Sequence, residues 1–380
     1  MRKRIGIVGG GQLGRMLTIP AKKLGYVVNI IDPTPNSPAG QIADQEITAD
    51  FKDEKAIRQL GDISDYLTFE IELANSDILK RLAEKGIEIN PTAGTLEIIR
   101  DKFLQKQFLK KSSIPVADFV KVDTKDNILK AASKFGYPIL LKARFDAYDG
   151  RGNTLIESES QIDGALEKLK NRKLYVEKYV PFTKELAVVV ARSTQGEIVT
   201  YPVVETIHKN NILHYLLSPA PVDKKVVAQA ETLAIDTMKC LKGAGVFGIE
   251  MFLTHSASSG QAKVLVNEIA PRVHNSGHHT IEANKTSQFE QHIRAITGMT
   301  LGPTETTVPA AVMINILGDR TGKATPEGIE KAENIPGVKV HIYGKLEIKP
   351  ERKMGHITVV GSTIEECLRK AKEARKLITI

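Results

Sequence analysis

The densest group of chemically capable side chains follows an apolar strand in residues 264–280, VLVNEIAPRVHNSGHHT. The strand leads directly into Asn267 and Glu268. A carboxylate and an amide at the end of a buried strand can hold a divalent cation that also contacts phosphate oxygens. A polar turn at an ordinary strand end would explain the same residues without chemistry. The groups that follow could bind an anionic substrate, and they are Arg272, His274, Asn275, His278 and His279.

A second carboxylate lies on the strand predicted to precede this one. Glu250 stands between apolar residues in GVFGIEMFLT, and the polar stretch HSASSGQAK separates it from the strand of Glu268. A buried carboxylate is costly unless it is paired or binds a metal. Because the two strands are predicted to be antiparallel neighbours, the two glutamates could share one or two Mg²⁺ ions, with Mn²⁺ as a substitute.

Two further stretches have the composition of a nucleotide site. YPILLKARFDAYDGRGNTLIES predicts a strand ending at Lys142, a loop, and a second strand. Glycines in YDGRGN let backbone N–H groups approach a triphosphate, and Arg151 adds positive charge. KLYVEKYVPFTKEL predicts a strand to Glu177, a linker and a strand opened by Glu185, which suits an adenine edge and ribose hydroxyls. Without a ligand, the YDGRGN stretch would be a hairpin with a long loop, and Glu185 would be a surface carboxylate at a strand start.

The first residues predict the start of an open parallel sheet. Strand, glycine loop, helix and strand follow one another from Ile5 to Ile31. The loop matches GxGxxG with Asp32 further on, so a NAD-dependent dehydrogenase is one hypothesis. The same loop suits any phosphate at a helix N-terminus, and a dehydrogenase leaves the rest of the chain unexplained. Glu70, at the end of YLTFEIE, is expected at the carboxyl edge, where ligands bind, or on the surface.

Helices and short strands are predicted to connect and follow these motifs. Lys345, Arg352 and Lys353 would lie on a late hairpin, either as a phosphate-binding cluster or as a solvated edge. The predicted helices cover residues 95–111, 127–135, 226–241, 287–296 and 363–376, and the late strands cover residues 311–316 and 338–343.

Composition excludes several classes of protein. The chain has 380 residues, enough for two or three domains, and a net charge of +8 that fits an anionic substrate or a lysine-rich surface. No arginine-rich tract interleaved with aromatics indicates nucleic acid. Cys240 and Cys367 predict neither a disulfide framework nor a zinc site. Without a signal peptide or an apolar run of membrane-spanning length, we expect a cytoplasmic protein that does not bind membranes.

Taken in order, GGGQLGRM, YDGRGN, EKYV and the two glutamate strands resemble the ATP-grasp superfamily. FDAYDGRGN, NEIAPRVHNSGHHTIEA, SQFEQHI and HIYGK with RKMGH are similar to the N5-carboxyaminoimidazole ribonucleotide synthetase family of purine biosynthesis. The similarity covers essentially the whole chain. The glycine loop alone is unspecific, whereas the ordered set is very specific.

The resemblance implies a mixed α/β and α+β fold with three domains. A Rossmann-like pre-ATP-grasp domain would cover residues 1–95, and an ATP-grasp domain residues 96–300. Within the latter, a lid subdomain would cover about 115–182 and a metal-binding subdomain about 183–300. A small β-rich domain, residues 301–380, would contribute contacts to the substrate phosphate. A homodimer through the N-terminal and central domains is also implied.

The resemblance further implies a set of site residues. Mg²⁺ would lie on Glu250 and Glu268, and the catalytic residues would be Asp149, Tyr148, Arg272 and Lys345. The implied ATP contacts are Lys102, Lys142, Ala147, Tyr148, Asp149, Gly150, Arg151, Gly152, Asn153, Glu177, Lys178, Tyr179, Val180, Glu185, His208, Asn267 and Glu268. The implied ribonucleotide contacts are Gln12, Leu13, Glu70, Tyr148, Asp149, Arg151, Arg272, His274, Asn275, Lys345, Arg352 and Lys353.

The implied activity is that of an ATP-dependent carbon–nitrogen ligase. ATP and bicarbonate would carboxylate 5-aminoimidazole ribonucleotide through carboxyphosphate, with Asp149 accepting the proton of the amine. Asp146-Ala147, Val273 and Lys102 depart from the commonest family pattern without removing a group that this chemistry needs. The alternatives are a formate-dependent glycinamide ribonucleotide transformylase on the same scaffold and a nucleotide sensor that binds ATP without turnover.

Overall fold

The N-terminal part of the chain forms a parallel five-stranded sheet with helices packed on it. The computed structural model describes residues 2–146, 152–255 and 260–380. The sheet order is β3-β2-β1-β4-β5, so the chain reverses direction between β1 and β4. Its elements are β1 (Arg4–Val8), α1 (Gln12–Lys23), β2 (Val27–Asp32), β3 (Gln45–Thr48), α2 (Glu54–Asp62), β4 (Tyr66–Phe69), α3 (Ser76–Glu84) and β5 (Glu88–Ile89). Strand β3 was not predicted.

Two helices carry the chain out of this sheet, α4 (Ala93–Arg100) and α5 (Lys102–Lys111). The prediction of one helical segment over residues 95–111 was therefore wrong. Asp101 has an extended backbone, and its Oδ1 accepts hydrogen bonds from the N–H groups of Phe103 and Leu104, so it starts a new helix. The same carboxylate pairs with Arg144, which a local helical pattern does not reveal.

The next segment builds a four-stranded antiparallel sheet in the order β6-β9-β7-β8. The apolar sides of its two α-helices pack on one face of this sheet. Its elements are β6 (Phe119–Val122), α6 (Lys125–Phe135), β7 (Ile139–Ala143), β8 (Asn153–Ile156), α7 (Ile162–Lys168) and β9 (Leu174–Lys178).

A nine-stranded sheet forms the rest of the molecule, with the path β15-β14-β10-β12-β13-β16-β20-β18 and β11 paired with β10. Its first half contains β10 (Lys184–Arg192), β11 (Ile198–Thr200), β12 (Val204–Lys209), β13 (Ile212–Ser218), α8 (Lys224–Cys240), β14 (Gly245–His255), β15 (Ala262–Ala270), α9 (Thr280–Ala283) and α10 (Gln288–Ile296). The chain after α10 contains β16 (Ala310–Leu317), β17 (Gly322–Lys323), α11 (Ile329–Glu333), β18 (Val338–Ile342), β19 (Glu347–Ile348), β20 (Lys353–Gly361) and α12 (Ile364–Leu377). Strands β17 and β19 pair with each other in a separate two-stranded sheet.

Strands on both sides of residue 300 belong to this one sheet, because β13 pairs with β16. The domain boundaries given above remain predictions. The parallel and antiparallel sheets confirm the mixed α/β and α+β class. Among the described residues, no helix combines the length and apolar character needed to cross a bilayer.

Helix α10 joins the N-terminal sheet to the nine-stranded sheet. Phe289 and Ile293 pack in one apolar cluster with Leu17 of α1 and with Val189 and Val246 of the large sheet. Spacing of buried residues at i, i+3, i+4 and i+7 along α10 places this face inward. This shared core holds the two sheets together.

Candidate active site

Glu250 on β14 and Glu268 on β15 are direct cross-strand partners. Met251 pairs with Val266, so Asn267 is an extra residue that forms a bulge. A bulge bends a strand and redirects side chains, and here it places Asn267 beside the carboxylate pair. The prediction that adjacent antiparallel strands each present one glutamate is confirmed.

The two carboxylates differ in their preference for a proton. Burial, together with the charge of Glu268, raises the pKa of Glu250 to about 7. Burial acts in the same direction on Glu268, but the ammonium groups of Lys102, Lys142 and Lys106 outweigh it and lower the pKa of that group. Like charges placed side by side in this way favour a proton or a cation between them.

Lysine side chains surround this pair from a different part of the chain. Lys102 is the first residue of α5, and its backbone N–H donates to the carbonyl of Arg144 over 2.8 Å. Its Nζ lies 2.5 Å from Glu268 Oε1. The predicted phosphate-binding lysine and the predicted metal-binding carboxylate are therefore in direct contact.

A buried ion-pair triad lies next to this contact. Glu177 on β9 is 1% exposed, with Oε2 2.9 Å from Lys106 Nζ and Oε1 3.5 Å from Lys142 Nζ. Burial would raise the pKa of Glu177, but the two lysines lower it. Glu177 was predicted to frame adenine, but its carboxylate is taken up by lysines, which leaves only its main chain for such a contact.

Lys106 was missed by the sequence analysis. It lies four residues after Lys102, hence on the same face of α5. This spacing was the available signal, and only the fold shows that its ammonium is buried against Glu177.

The predicted adenine residues lie at the end of β9 and in the linker that follows it, and the predicted nucleoside residues Glu185 and His208 lie on the neighbouring strands β10 and β12. Lys178 and Tyr179 are exposed, Val180 is buried, and Glu185 lies on β10. His208 on β12 places Nδ1 2.8 Å from Glu185 Oε2. Burial would lower the pKa of His208, but the contact with Glu185 raises it overall. The structure thus brings together the two residues assigned to the nucleotide.

The segment after β15 presents Arg272 and His274 to the same region. Arg272 Nη2 lies 2.9 Å from Oε1 of Glu72, which lies in the turn after β4. The sequence did not indicate this partner beyond its position two residues after Glu70. His274 Nε2 lies 3.4 Å from Glu250 Oε1. Burial, followed by the charge of Arg272, lowers the pKa of His274 well below its usual value, so the ring is neutral.

Asn275 is directed into the protein rather than toward a ligand. Its Nδ2 donates to Asn315 Oδ1 over 3.3 Å, and Asn315 Nδ2 donates to its Oδ1 over 2.9 Å. A substrate contact from this side chain would require one of these amide hydrogen bonds to be exchanged.

The backbone N–H groups of the glycine loop at the start of α1 donate hydrogen bonds to two carboxylates. Gly10 N–H donates to Asp32 Oδ2, while Gly11 and Gly14 N–H groups donate to Glu70. Asp32 is therefore engaged in holding the loop and does not present a free acid to a ribose, which removes the support for the dehydrogenase hypothesis.

Glu70 packs closely under this loop. Burial raises its pKa to about 6, although the hydrogen bonds from Gly14 and Gly11 act in the opposite direction. Gly9 has φ +108°, and a Cβ on it would lie 2.4 Å from Glu70 Cγ, so a side chain there would displace the carboxylate.

The late basic hairpin meets the start of α1. Lys345 Nζ donates to Gln12 Oε1 and to the carbonyl of Lys353, each over 2.6 Å. Arg352 Nη1 donates to the carbonyl of Glu347 over 2.8 Å. Leu13 follows Gln12 and is buried in α1. The fold thus brings together Gln12 and Lys345, which are 333 positions apart.

Part of the predicted lid lies outside the described residues, namely Ala147, Tyr148, Asp149, Gly150 and Arg151. Gly152 and Asn153 are described: Gly152 lies in a turn, and Asn153 begins the return strand β8. Asn153 on β8 is the cross-strand partner of Lys142 on β7, so the strand that follows the predicted lid begins beside this lysine.

A divalent cation suits the chemistry of the carboxylate pair. Within the described ranges, no three His, Cys, Asp or Glu side chains form a complete protein-only metal cluster. Mg²⁺ is typically held by one or two carboxylates, with water and substrate phosphates completing its coordination. Glu250 and Glu268, with lysines beside them for phosphate, fit that arrangement.

Comparison with known families gives three consecutive matches. Residues 1–100 match the ribonucleotide synthetase preATP-grasp domain, residues 107–289 the ATP-grasp domain, and residues 311–370 the phosphoribosylaminoimidazole carboxylase C-terminal domain. These matches confirm the predicted fold class.

Individual relatives align along nearly all of the chain. Phosphoribosylaminoimidazole carboxylase of Candida albicans is 46% identical over 378 residues, covering 96% of this chain, which spans only 65% of that relative's length. N5-carboxyaminoimidazole ribonucleotide synthase of Bacillus subtilis is 40% identical, with 96% of this chain and 93% of the relative covered.

Solved structures agree with these sequence matches. N5-carboxyaminoimidazole ribonucleotide synthetase from Thermotoga maritima has a TM-score of 0.89 and 46% identity, with 99% of each chain covered. N5-carboxyaminoimidazole synthase from Aspergillus clavatus, in complex with ADP and 5-aminoimidazole ribonucleotide, has a TM-score of 0.90 and 36% identity, covering 99% of this chain and 98% of that chain.

Proposed function

Because this chain belongs to the N5-carboxyaminoimidazole ribonucleotide synthetase family of ATP-grasp proteins, we propose that it carboxylates 5-aminoimidazole ribonucleotide. Bicarbonate would supply the carboxyl group, and ATP would be converted to ADP and phosphate. The product would be N5-carboxyaminoimidazole ribonucleotide. The observation that carries this proposal is the Glu250–Glu268 carboxylate pair with Lys102 and Lys142 beside it, since these are the charges that phosphoryl transfer requires.

Glu250 and Glu268 are the residues that we assign to Mg²⁺, with Asn267 beside them. When bound, the ion would offset the negative charge of the ATP phosphates. Lys102 and Lys142 would contact the same phosphates, and Lys102 would leave Glu268 to do so. Glu185 and His208 would contact the nucleoside, and the main chain of residues 177–180 the adenine edge.

Bicarbonate is a poor electrophile, so activation by the γ-phosphate to carboxyphosphate is the step that requires ATP. Arg272, held by Glu72, would stabilise the charge that develops on the transferred group. His274 is neutral and can donate or accept one hydrogen bond without adding charge. The amine of the ribonucleotide would then attack the carbon of carboxyphosphate and displace inorganic phosphate, and Asp149 would accept the proton of the amine, with Tyr148 nearby.

The ribonucleotide would lie between the glycine loop and the late hairpin. Lys345, Arg352 and Lys353 would bind its phosphate, and Gln12 and Glu70 its ribose or base. Support comes from the contact between Lys345 and Gln12, which brings an ammonium group of the late hairpin to the start of α1. The YDGRGN segment would close over the reactants and exclude water.

Phosphate release from MgATP tests this proposal. Release that requires both 5-aminoimidazole ribonucleotide and bicarbonate, with N5-carboxyaminoimidazole ribonucleotide formed in equal amount, is the expected result. Release only with glycinamide ribonucleotide and formate would favour the transformylase, and nucleotide binding without release would favour the sensor. A Glu268→Gln variant should lose at least about 10²-fold in kcat, because it removes a carboxylate that would hold the ion offsetting the charge of the transferred group.

We further propose a homodimer located in the cytoplasm, on the basis of the family resemblance. Sedimentation velocity would give a single species of twice the chain mass if this is correct. A concentration-independent monomer would contradict it.

A further inference from the structure

Gln288 forms a two-point hydrogen-bonded contact with the main chain of His274. Its Nε2 donates to the His274 carbonyl over 2.7 Å, and its Oε1 accepts from the His274 N–H over 3.0 Å. The Gln288 side chain is fully buried at the start of α10. One amide therefore satisfies both backbone groups of a residue, as a neighbouring strand would.

The contacted segment leaves strand β15 at Ala270, and no strand follows before α9 begins at Thr280. Buried backbone groups outside a ladder require partners from side chains or turns. The main chain of Gln288 adds a further tie, because its N–H donates to Thr280 Oγ1 over 2.9 Å. A Cβ on Gly277 would lie 2.4 Å from Gln288 Oε1, so the loop closes tightly around the amide.

The main-chain segment that Gln288 holds includes two residues of the proposed active site, Arg272 and His274. The His274 ring lies 3.4 Å from Glu250, and Arg272, two residues earlier, reaches Glu72. At the other end of the segment, Gln105 makes longer contacts of 3.3 and 3.4 Å with the main chain of Ile269. Ile269 is also held by its strand pairing with Ile249. The His274 carbonyl also accepts from the Gly277 N–H over 2.9 Å, so Gln288 ties both main-chain groups of His274 together without being the sole partner of the carbonyl.

We propose that Gln288 is a positioning residue that sets the main-chain path from Arg272 to His274. It acts on the reaction only through these two side chains. The kinetic consequence rests on the function proposed above, whereas the effect on the main chain does not. Misplacing reacting groups by about 1 Å can reduce a rate by about 10²-fold, so loss of this contact is expected to be visible in turnover.

Helix α10 also provides a matched control. Gln291 is fully buried, its Nε2 donates to the Gly302 carbonyl over 2.7 Å, and its Oε1 accepts from the Gly302 N–H over 2.7 Å. The two glutamines thus make the same kind of contact from the same helix. Gly302 lies in the connection from α10 to β16 and contributes nothing to the proposed site.

The experiment compares Gln288→Met with Gln291→Met by amide hydrogen exchange and by steady-state kinetics. We expect exchange at residues 272–277 to accelerate tenfold or more in Gln288→Met and to stay at the wild-type rate in Gln291→Met. We expect kcat/KM to fall about 10- to 100-fold in Gln288→Met and less than about threefold in Gln291→Met. Similar losses of thermal stability in both would show that stability alone does not explain the difference.

Gln288→Glu tests the same contact if the methionine variant does not fold. A protonated carboxyl group can donate to the His274 carbonyl and accept from its N–H, whereas an ionised one cannot donate. The kcat/KM of Gln288→Glu, relative to that of wild type at the same pH, should therefore rise as the pH is lowered. Unchanged exchange at residues 272–277 in a folded Gln288 variant, or equal kinetic losses in both methionine variants, would overturn the proposal. If the wild-type protein releases no phosphate, the proposed function fails and hydrogen exchange alone decides the role of Gln288.

Discussion

Lys102 Nζ lies 2.5 Å from Glu268 Oε1, so a lysine assigned to phosphate rests on a carboxylate assigned to Mg²⁺. The pair joins the start of α5 to β15 across 166 positions of the chain. Each group compensates the other before any ligand binds. Binding of a metal–nucleotide complex therefore has to exchange this ion pair for two others.

Replacing Lys102 by Met should tighten the binding of a divalent cation in the absence of nucleotide. The variant leaves the charges of Glu250 and Glu268 without their nearest ammonium, and we expect about three- to tenfold tighter Mn²⁺ binding by calorimetric titration. Affinity for MgATP should fall in the same variant. Lys110→Met, which removes an exposed lysine of the same helix, is the control. Unchanged or weaker Mn²⁺ binding in Lys102→Met would contradict this account.

Replacing Lys106 by Met should destabilise the fold strongly. The change leaves the buried Glu177 carboxylate with only Lys142, at 3.5 Å, and removing one partner of a buried pair costs about 3–5 kcal/mol. Lys110→Met should cost less than about 1 kcal/mol, because its ion pair with Asp118 is exposed. Urea unfolding measures both.

The double variant Lys106→Met, Glu177→Gln supplies the internal check. Since it removes the unpaired charge, it should recover part of the lost free energy of unfolding. If the single Lys106→Met variant is as stable as Lys110→Met, the buried ion pair is not a stabilising feature of this protein.

Ionisation of Glu250 should reduce the stability of the metal-free protein as the pH rises from about 5 to 8. Burial and Glu268 raise the pKa of Glu250 from 4.5 to about 7, so the folded state binds this proton more tightly than the unfolded chain. The contribution of Glu250 to the free energy of unfolding therefore falls with rising pH in that interval, and the difference between wild type and a variant without this carboxyl group isolates it. Since the Glu250 side chain is 26% exposed, we expect a change of about 1–2 kcal/mol, less than the full shift would give.

Glu250→Gln should abolish this particular slope, so that the variant gains stability relative to wild type as the pH rises. Saturating Mg²⁺ should also flatten the wild-type profile if it binds the ionised pair. Parallel profiles of unfolding free energy against pH for wild type and variant, measured by urea unfolding at pH 5, 6.5 and 8, would rule out a raised pKa of Glu250 in the folded protein.

Replacing Glu72 by Gln should impair turnover without a comparable change in nucleotide binding. The variant removes the charge 2.9 Å from Arg272 Nη2, which frees the guanidinium to adopt other rotamers. We expect kcat to fall about tenfold and the KM for ATP to change less than about threefold, as for loss of an interaction used in the transition state. Glu54→Gln, which breaks only exposed ion pairs with Arg58 and Arg81, is the control. Equal behaviour of the two variants would show that Glu72 does not position Arg272.

Local patterns were sufficient for the elements that carry the site. Runs of apolar residues predicted the strands of Glu250 and Glu268, and the short polar connection between them predicted their antiparallel pairing. A glycine loop between an apolar strand and a helical segment predicted the start of the parallel sheet. These features depend on neighbours close in sequence, so the sequence contains them directly.

Boundaries that depend on distant partners were predicted less well. The helical pattern of residues 95–111 gave no sign of the break at Asp101, because the cap that starts α5 is reinforced by Arg144 from another part of the chain. Strand β3 was overlooked because its short sequence QEIT has little apolar character of its own and exists through pairing with β2.

What the sequence by itself determined is therefore the set of chemical groups and the elements that bear them, together with the family that their order resembles. Only the tertiary structure decided which groups meet: Lys106 with Glu177, Arg272 with Glu72, and Gln288 with His274. The periodicity of a helix or strand reports which face a residue occupies, but it carries no information about what lies opposite that face. The pKa shifts and the positioning contacts arise from those pairings and from burial, which exist only in the folded chain.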